Sequence, residues 1–248
     1  MIPYFTAIAT LAIYFTIFFV IAQIKRDNSI VDMAWGPGFA IVSIAVDLVS
    51  GLPSILILLI SIWALRLVSH IANRNLKKPE DFRYQEMRKG WGEHQMLNAF
   101  FKVFMLQGVL LFIVVFSAIS AGEVRLNATL TYIGMGIFIF GLVFESIGDE
   151  QLRRFVRTKK PGEVMTTGLW RYTRHPNYFG EATLWWGIYL IALAYGAPWW
   201  TVFSPLTITI LVRYISGVPL LEKKYENNPA FEAYKAKTSV FIPLPPKR

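Results

Sequence analysis

The sequence predicts an all-α integral membrane protein with about seven transmembrane helices. Of the 248 residues, 54% are hydrophobic and 17% are charged, whereas soluble domains carry roughly 25% charged residues. The mean hydropathy is +0.44. The apolar residues are also gathered into runs of about 17–25, the length that an α-helix needs to cross a bilayer. These observations predict a single membrane domain over residues 1–248.

The predicted spans are apolar runs separated by charged segments or by segments that contain Gly and Pro. The first run lacks a preceding basic segment and a small-residue cleavage site, so we interpret it as a retained helix. The second contains Gly36-Pro-Gly38, which predicts a kinked or broken helix start. After the last span, a polar helix is predicted over about 220–237. The seven spans are predicted at about 3–24, 30–49, 52–72, 99–120, 126–147, 182–195 and 199–215.

The distribution of Lys and Arg predicts how the seven spans are oriented across the membrane. Seven spans place the two termini on opposite sides of the membrane. Most of the 25 Lys and Arg residues fall after the first span, in the polar segments 73–98 and 148–179, or in the tail, whereas Arg125 falls in a loop on the other side. Because cytoplasmic loops are enriched in Lys and Arg, we expect the N-terminus outside and the C-terminus in the cytoplasm. The same distribution accounts for the net charge of +9 without a nucleic-acid partner.

Composition excludes several kinds of chemistry. The chain has no cysteine, which excludes disulfides, a thiol nucleophile and Cys-ligated metals. The three histidines, His70, His94 and His175, lie far apart without the spacing of a zinc site, so no metal is expected. No internal repeat is evident, which argues against a transporter of the inverted-repeat kind.

One basic stretch, residues 168–181, lies directly before an apolar run. It contains Arg171, Arg174 and His175, and Pro176 is suited to open a helix. A helix N-terminus beside Arg and His favours a bound phosphate. The alternative is a solvated basic loop that follows the charge rule for cytoplasmic segments.

A second group of ionisable residues lies at the end of the fifth predicted span. Glu145 and Asp149 are spaced i,i+4 and share a helix face, and ionisable groups at membrane depth are usually functional. Arg153, Arg157 and Lys160 follow. This cluster predicts charge-assisted binding of a diphosphate or a 2′-phosphate; the alternative is contact with lipid headgroups.

Two residues in the first half of the chain are candidates for a proton donor. Asp32 opens the second span close to Trp35, and a carboxyl there is suited to general acid catalysis. The alternative is a helix N-cap at the membrane interface. Tyr84 is a candidate phenol donor, with an interfacial aromatic anchor as the alternative.

Six motifs carry a resemblance to a known family: Pro161-Gly-Glu163, Gly168-Leu-Trp170, Asn177-Tyr-Phe-Gly-Glu181, Ser29-Ile-Val-Asp-Met-Ala-Trp-Gly36, Glu80-Asp-Phe-Arg-Tyr84 and Ser216-Gly-Val-Pro-Leu-Leu-Glu222. On these motifs the C-terminal half is similar to the C-terminal domain of steroid 5-alpha-reductases, and the whole chain is most similar to a bacterial branch described as a domain of unknown function. The Arg-His-Pro-x-Tyr-x-Gly core is shared more distantly with sterol reductases and with isoprenylcysteine carboxyl methyltransferases.

The resemblance implies an NADPH-dependent reductase that transfers hydride to the β-carbon of a carbon–carbon double bond conjugated to a carbonyl. It also implies a bacterial inner membrane, with the cofactor site facing the cytoplasm. The residues expected to bind the cofactor, from the family's positions, the shared motif or their charge, are Asp149, Arg153, Arg157, Lys160, Arg171, Arg174, His175, Asn177, Tyr178, Glu181 and Arg213.

In the N-terminal part of the chain, the residues at the family's proton-donor positions differ from those of the steroid enzymes. Trp35 falls where the steroid enzymes have their donor glutamate, and Ile71 falls where they have the tyrosine. We therefore take Asp32 and Tyr84 as the catalytic candidates.

The sequence thus predicts substrate-cavity helices over 1–120 and a cofactor-binding region over 121–248, with a lipophilic substrate and membrane lipids as partners. Two alternatives stay open. One is a methyltransferase that uses S-adenosylmethionine on a lipid or isoprenoid substrate. The other is a lipid-binding membrane protein without enzymatic activity.

Overall fold

The computed structural model describes residues 1–75 and 79–247, and the chain is 78% helical with no strand in that described part. The all-α class is therefore confirmed. Short 3₁₀ or π-helical turns lie at Gly92–His94, Phe100–Met105, Gly168–Arg171, Trp199–Val202 and Leu211–Ile215. The α-helices are α1 Ile2–Lys25, α2 Ile30–Ser50, α3 Ser54–Asn75, α4 Phe82–Trp91, α5 Gln95–Ala99, α6 Leu106–Ile119, α7 Ala128–Thr158, α8 Pro176–Ala194, α9 Phe203–Ile210, α10 Val218–Lys223 and α11 Pro229–Lys237.

Within the described residues, six helical runs are long and apolar enough to cross a membrane, which supports an integral membrane protein. Helix α8 has 19 residues but is not among those six. The count of seven spans and the orientation of the termini therefore stay predictions. The six runs are Ile2–Lys25, Ile30–Ser50, Ser54–Asn73, Phe82–Ile119, Ala128–Thr158 and Trp199–Lys223.

Helix α7 extends further than the apolar pattern predicted. The fifth span was predicted to end at about residue 147, but α7 continues to Thr158. Glu150 forms ion pairs with Arg153 and Arg154 at i,i+3 and i,i+4. Such pairs stabilise a polar helical turn beyond the apolar run.

The polar segment before the fourth predicted span also contains helices that the apolar pattern did not predict. It is largely helical, because α4, a 3₁₀ turn and α5 lead through a π-helical stretch into α6. The side chain of Asp81 starts this run by accepting a hydrogen bond from Arg83 N.

Two further details differ from the prediction. Helix α2 runs through Pro37 without a break, and the hydroxyl of Tyr14 donates to the carbonyl of Ala34 nearby at 2.9 Å. The single tail helix is instead two helices, α10 and α11. Asn227 has a left-handed φ of 68°, and the side chain of Asn228 caps the second helix through the N–H groups of its first turn.

The chain divides into two compact units. Unit 1 consists of Met1–Ala128 and Ala192–Ser204, and unit 2 consists of Thr129–Ile191 and the residues from Pro205 onward. Large buried side chains, among them Phe15, Phe39 and Trp63, fill unit 1. The division of function that the sequence predicts near residue 120 stays a prediction.

A glycine seam joins α7 to α8 in unit 2. Gly134, Gly141 and Gly148 recur every seven residues along α7, so they lie near one face of the helix. A Cβ added at Gly134 would lie 2.8 Å from the carbonyl oxygen of Gly187, and one at Gly141 would lie 2.7 Å from that of Gly180. The two backbones therefore pack in direct contact, as small residues allow in membrane helices. This packing places the polar end of α7 beside the start of α8.

Candidate functional site

The basic motif of unit 2 forms a buried ionic cluster. Arg174 Nε donates to Glu222 Oε1 at 2.8 Å, and His175 Nε2 lies 3.0 Å from the same oxygen. Arg174 Nη1 also donates to the carbonyls of Thr238 and Lys235. Arg174 is 8% exposed and His175 is 4% exposed. The arginine therefore already has ionic and carbonyl partners within the protein.

These bonds fasten the C-terminal strap, residues 238–247, to the basic motif. Thr173 Oγ1 donates to the Phe241 carbonyl at 2.8 Å, and Arg174 N donates to the Ser239 carbonyl at 2.8 Å. Leu244 N in turn donates to the carbonyl of Tyr172. Side-chain and backbone bonds together hold the strap along the segment that precedes α8.

The environment of His175 favours its neutral form. Burial lowers the pKa of His175, while the hydrogen bond to Glu222 partly opposes that shift and the charges of Arg174 and Arg213 add to it. In the neutral tautomer that donates from Nε2 to Glu222, Nδ1 is an acceptor. Within the described residues this Nδ1 is buried without a hydrogen-bond partner. The ring of Tyr178 stacks on the imidazole with centroids 5.7 Å apart.

A second polar group lies where α7 meets α8. Asn177 Nδ2 donates to Asp149 Oδ1 at 3.0 Å. Asn177 Oδ1 is buried without a hydrogen-bond partner in the described part of the chain, so it is available to accept one from a ligand. Glu145, Asp149 and Glu181 are all buried.

The exposed cations of unit 2 fall into two classes. Arg153 is engaged by Glu150 at 2.6 Å. Arg157, Lys160 and Arg171 are exposed, and no ion pair of theirs is found among the described residues. Among the predicted cofactor-binding residues, these three are the exposed cations whose charges are available to an external anion.

Unit 1 contains the predicted proton-donor pair. Tyr84 Oη donates to Asp32 Oδ1 at 2.7 Å, and Arg83 Nη2 donates to Asp32 Oδ2 at 2.9 Å. The Asp32 side chain is 17% exposed and Tyr84 is 6% exposed. The structure thus brings the two catalytic candidates into direct contact and adds Arg83, which the sequence did not single out.

The connection between α1 and α2 holds α4 in place for this contact. Glu80 Oε1 accepts from Asn28 N and from Arg88 Nη2, both at 2.7 Å. The interpretation of Asp32 as an N-cap is wrong, because Ser29 occupies that position and Asp32 lies in the first turn of α2. Its carboxylate bonds instead to two residues of α4.

Sequence reasoning missed several residues of these clusters. Glu222 was noted only as the end of a motif, and the strap carbonyl of Thr238 was not considered. Tyr234, whose hydroxyl donates to the Trp170 carbonyl, was also missed. A buried Arg next to His requires an acidic partner, since buried charges are paired. That requirement was the signal in the sequence that could have pointed to Glu222.

The chain was compared with known families, proteins and structures. The family DUF1295, described as "Protein of unknown function", matches residues 18–238. The uncharacterized protein C594.04c of Schizosaccharomyces pombe is 23% identical over 251 residues, which cover 90% of this chain and 72% of that protein. A second uncharacterized protein of the same organism, C9.08c, is 30% identical over 115 residues, covering 40% of this chain and 41% of that protein. No solved structure matches the chain.

Proposed function

The chain belongs to the DUF1295 family, a steroid 5-alpha-reductase-like family, and on that basis we propose that it is a membrane-embedded, NADPH-dependent reductase. The proposed substrate is a lipophilic molecule with a carbon–carbon double bond conjugated to a carbonyl, and the cofactor site faces the cytoplasm. One observation carries the proposal, the hydrogen bond of Tyr84 to Asp32. It supplies a phenol–carboxyl pair in a chain that lacks the family's donor residues at the matching positions.

The chemistry gives this pair a role. Hydride addition to the β-carbon builds negative charge on the carbonyl oxygen, and a hydrogen-bond donor aimed at that oxygen lowers the barrier. Tyr84 is the proposed donor. Its phenol hydrogen is bonded to Asp32 before the substrate binds, and it turns to the substrate oxygen when the carbonyl binds. Arg83 then balances the charge of the Asp32 carboxylate. The α-carbon then takes a proton from solvent, which completes the reduction of the double bond.

The residues of unit 2 fit the cofactor. NADPH, when bound, supplies the hydride. The amide oxygen of Asn177 is a buried acceptor suited to the carboxamide N–H groups of the nicotinamide. Arg157, Lys160 and Arg171 offer exposed charge to the phosphates.

The ionic cluster has a different proposed role. Arg174 and His175 are bonded to Glu222 and to the strap, so we assign them as positioning residues rather than phosphate ligands. Tyr178 supports the imidazole by stacking. Asp149 orients Asn177 through their hydrogen bond.

Cofactor binding is tested on the detergent-purified protein by titration with NADPH and, in parallel, with S-adenosylmethionine. We expect NADPH to bind, and Lys160→Ala to weaken it while leaving binding of S-adenosylmethionine unchanged. Tight binding of S-adenosylmethionine alone would refute the reductase proposal and would indicate a methyltransferase instead. Binding of neither would favour a lipid-binding protein without enzymatic activity.

The acid is tested by NADPH oxidation with a panel of lipophilic enones that includes a steroid 4-en-3-one. Tyr84→Phe and Asp32→Asn should lower turnover by about 10²–10⁴-fold, the usual contribution of general acid catalysis, with the dissociation constant of NADPH unchanged. Tyr132→Phe is the matched control, because Tyr132 is 64% exposed. Full turnover in Tyr84→Phe would refute the assignment of the acid.

A further inference from the structure

An apolar groove lies in unit 2 along α8, apart from the polar clusters described above. Its volume is about 530 Å³, within the range of about 300–1,000 Å³ typical of ligand sites. Helix α8, residues 209–214 of the last candidate span and the C-terminal strap form its walls. The lining residues are Phe179, Ala182, Thr183, Trp186, Thr209, Arg213, Tyr214, Ser239, Val240, Phe241, Ile242 and Leu244.

Arg213 is the charged residue of this lining. Its guanidinium carbon lies 4.5 Å from the centroid of the Tyr214 ring, which holds the side chain by a cation–π contact. The ion pairs found among the described residues do not include Arg213. The groove therefore carries a positive charge that the described protein does not neutralise.

Three other polar side chains in the groove, those of Thr183, Trp186 and Thr209, already have partners. The hydroxyl of Thr183 donates to the Phe179 carbonyl, and that of Thr209 donates to the Pro205 carbonyl. Trp186 Nε1 donates to Thr209 Oγ1. Arg213 is thus the group that can offer several hydrogen bonds to a ligand. One cation at an otherwise apolar groove is complementary to an amphiphile with an anionic head.

The groove lies on the side of α8 away from Asn177. Phe179, Thr183 and Trp186 are spaced i, i+4 and i+7, so they share one face of the helix. Asn177 is two residues before Phe179, which places it about 200° around the helix from that face. A ligand in the groove is therefore distinct from one that bonds to the amide of Asn177.

We propose that this groove binds one acyl chain of an anionic phospholipid, with the lipid phosphate on Arg213. A guanidinium binds phosphate oxygens in a bidentate manner, and the Tyr214 ring keeps it in position. The apolar wall formed by Phe179, Trp186 and Phe241 receives the hydrocarbon chain. The strap covers part of this site, so the Arg174 cluster that fastens the strap also maintains the groove. The inference does not depend on the proposed reductase activity. It assigns Arg213, which the sequence analysis expected to bind the cofactor, to a lipid phosphate.

The test is native mass spectrometry of the detergent-solubilised full chain, titrated with phosphatidylglycerol or with phosphatidylcholine. We expect one phosphatidylglycerol to be retained. Arg213→Met should lower its affinity by about tenfold, Arg213→Lys should lower it less, and Thr183→Phe should block the groove with Arg213 in place. Lys237→Met is the control, because Lys237 is an exposed cation of the same unit outside the groove.

Two results would overturn the inference. Equal retention of both lipids, unaffected by Arg213→Met, would show that the charge does not select the ligand. If Arg213→Met lost NADPH binding while its lipid binding was unchanged, Arg213 would be a cofactor-binding residue and not a lipid-binding one. Thr183→Phe keeps the inference testable if Arg213→Met fails to fold, because retention of phosphatidylglycerol by a folded Thr183→Phe protein would also refute it.

Discussion

Arg174 and Glu222 form an ion pair across 48 residues of sequence, with Arg174 Nε 2.8 Å from Glu222 Oε1. Arg174 is buried, and the Glu222 side chain is 17% exposed. His175 shares the same carboxylate. This pair links the segment before α8 to α10, and the remaining donors of the arginine hold the C-terminal strap. The Arg-His motif, which looks like a phosphate clamp in the sequence, is therefore bonded within the chain to Glu222 and to the tail.

Removal of Glu222 should destabilise the protein more than removal of an exposed acid. Glu222→Ala leaves the buried Arg174 without its carboxylate, and leaving a buried donor unpaired costs about 1–3 kcal/mol. We expect a clear drop in the midpoint of thermal unfolding in detergent. The control is Glu226→Ala, because Glu226 is exposed and such substitutions usually stay within about 0.5 kcal/mol. Equal midpoints for the two variants would contradict the structural role.

The stability should fall as the pH falls through the titration of His175. Burial lowers the pKa of His175 in the folded state, whereas the unfolded value is about 6.5. Below about pH 6.5 the unfolded state binds a proton that the folded state does not, so the free energy of unfolding decreases until the pH passes below the folded pKa.

This pH dependence is measured as the unfolding midpoint between about pH 5 and 7.5, the range that brackets the unfolded pKa. His175→Gln should remove that part of the slope, because the amide can still donate to Glu222 without titrating. His94→Gln is the control, since His94 is exposed. A slope that persists unchanged in His175→Gln would assign the effect to another group.

Much of the helical framework could be predicted from the apolar runs. The first two helices end within about two residues of the predicted bounds, because hydrophobic length determines where a helix enters and leaves the apolar layer. The polar extension of α7 could not be predicted in this way. It depends on side-chain pairs such as Glu150 with Arg153, which an apolar pattern does not record.

The candidate site could be predicted residue by residue but not as an arrangement. Asp32 and Tyr84 were chosen separately, and only the fold shows that they are hydrogen-bonded across 52 residues of sequence. Glu222 was missed because an acid in a polar tail resembles an ordinary surface residue. Its partner Arg174 was assigned to phosphate because an unpaired Arg and a paired one look the same in sequence.

The glycine seam offers a test of the contact between α7 and α8. In Gly141→Ala, the new Cβ would lie 2.5 Å from the backbone nitrogen of Leu184, and backbone cannot move aside as a flexible side chain can. We expect a loss of about 1–3 kcal/mol, typical of overpacking, seen as a lower unfolding midpoint. Gly136→Ala on the same helix is the matched control, because a Cβ there meets nothing within 4 Å. That variant should be neutral or slightly stabilised, and a similar loss in both variants would contradict the seam.

The predicted topology can be tested directly because the chain contains no cysteine. Seven spans with the N-terminus outside place residues 123 and 199 on the outer side and residue 160 in the cytoplasm. A membrane-impermeant maleimide should therefore label Glu123→Cys and Trp199→Cys in intact cells. It should label Lys160→Cys only after lysis, and the cysteine-free parent provides the background. The pair at 160 and 199 brackets α8, which is less apolar than the six candidate spans. If both of these sites react from the same side, α8 does not cross the membrane, and the prediction of seven spans is wrong.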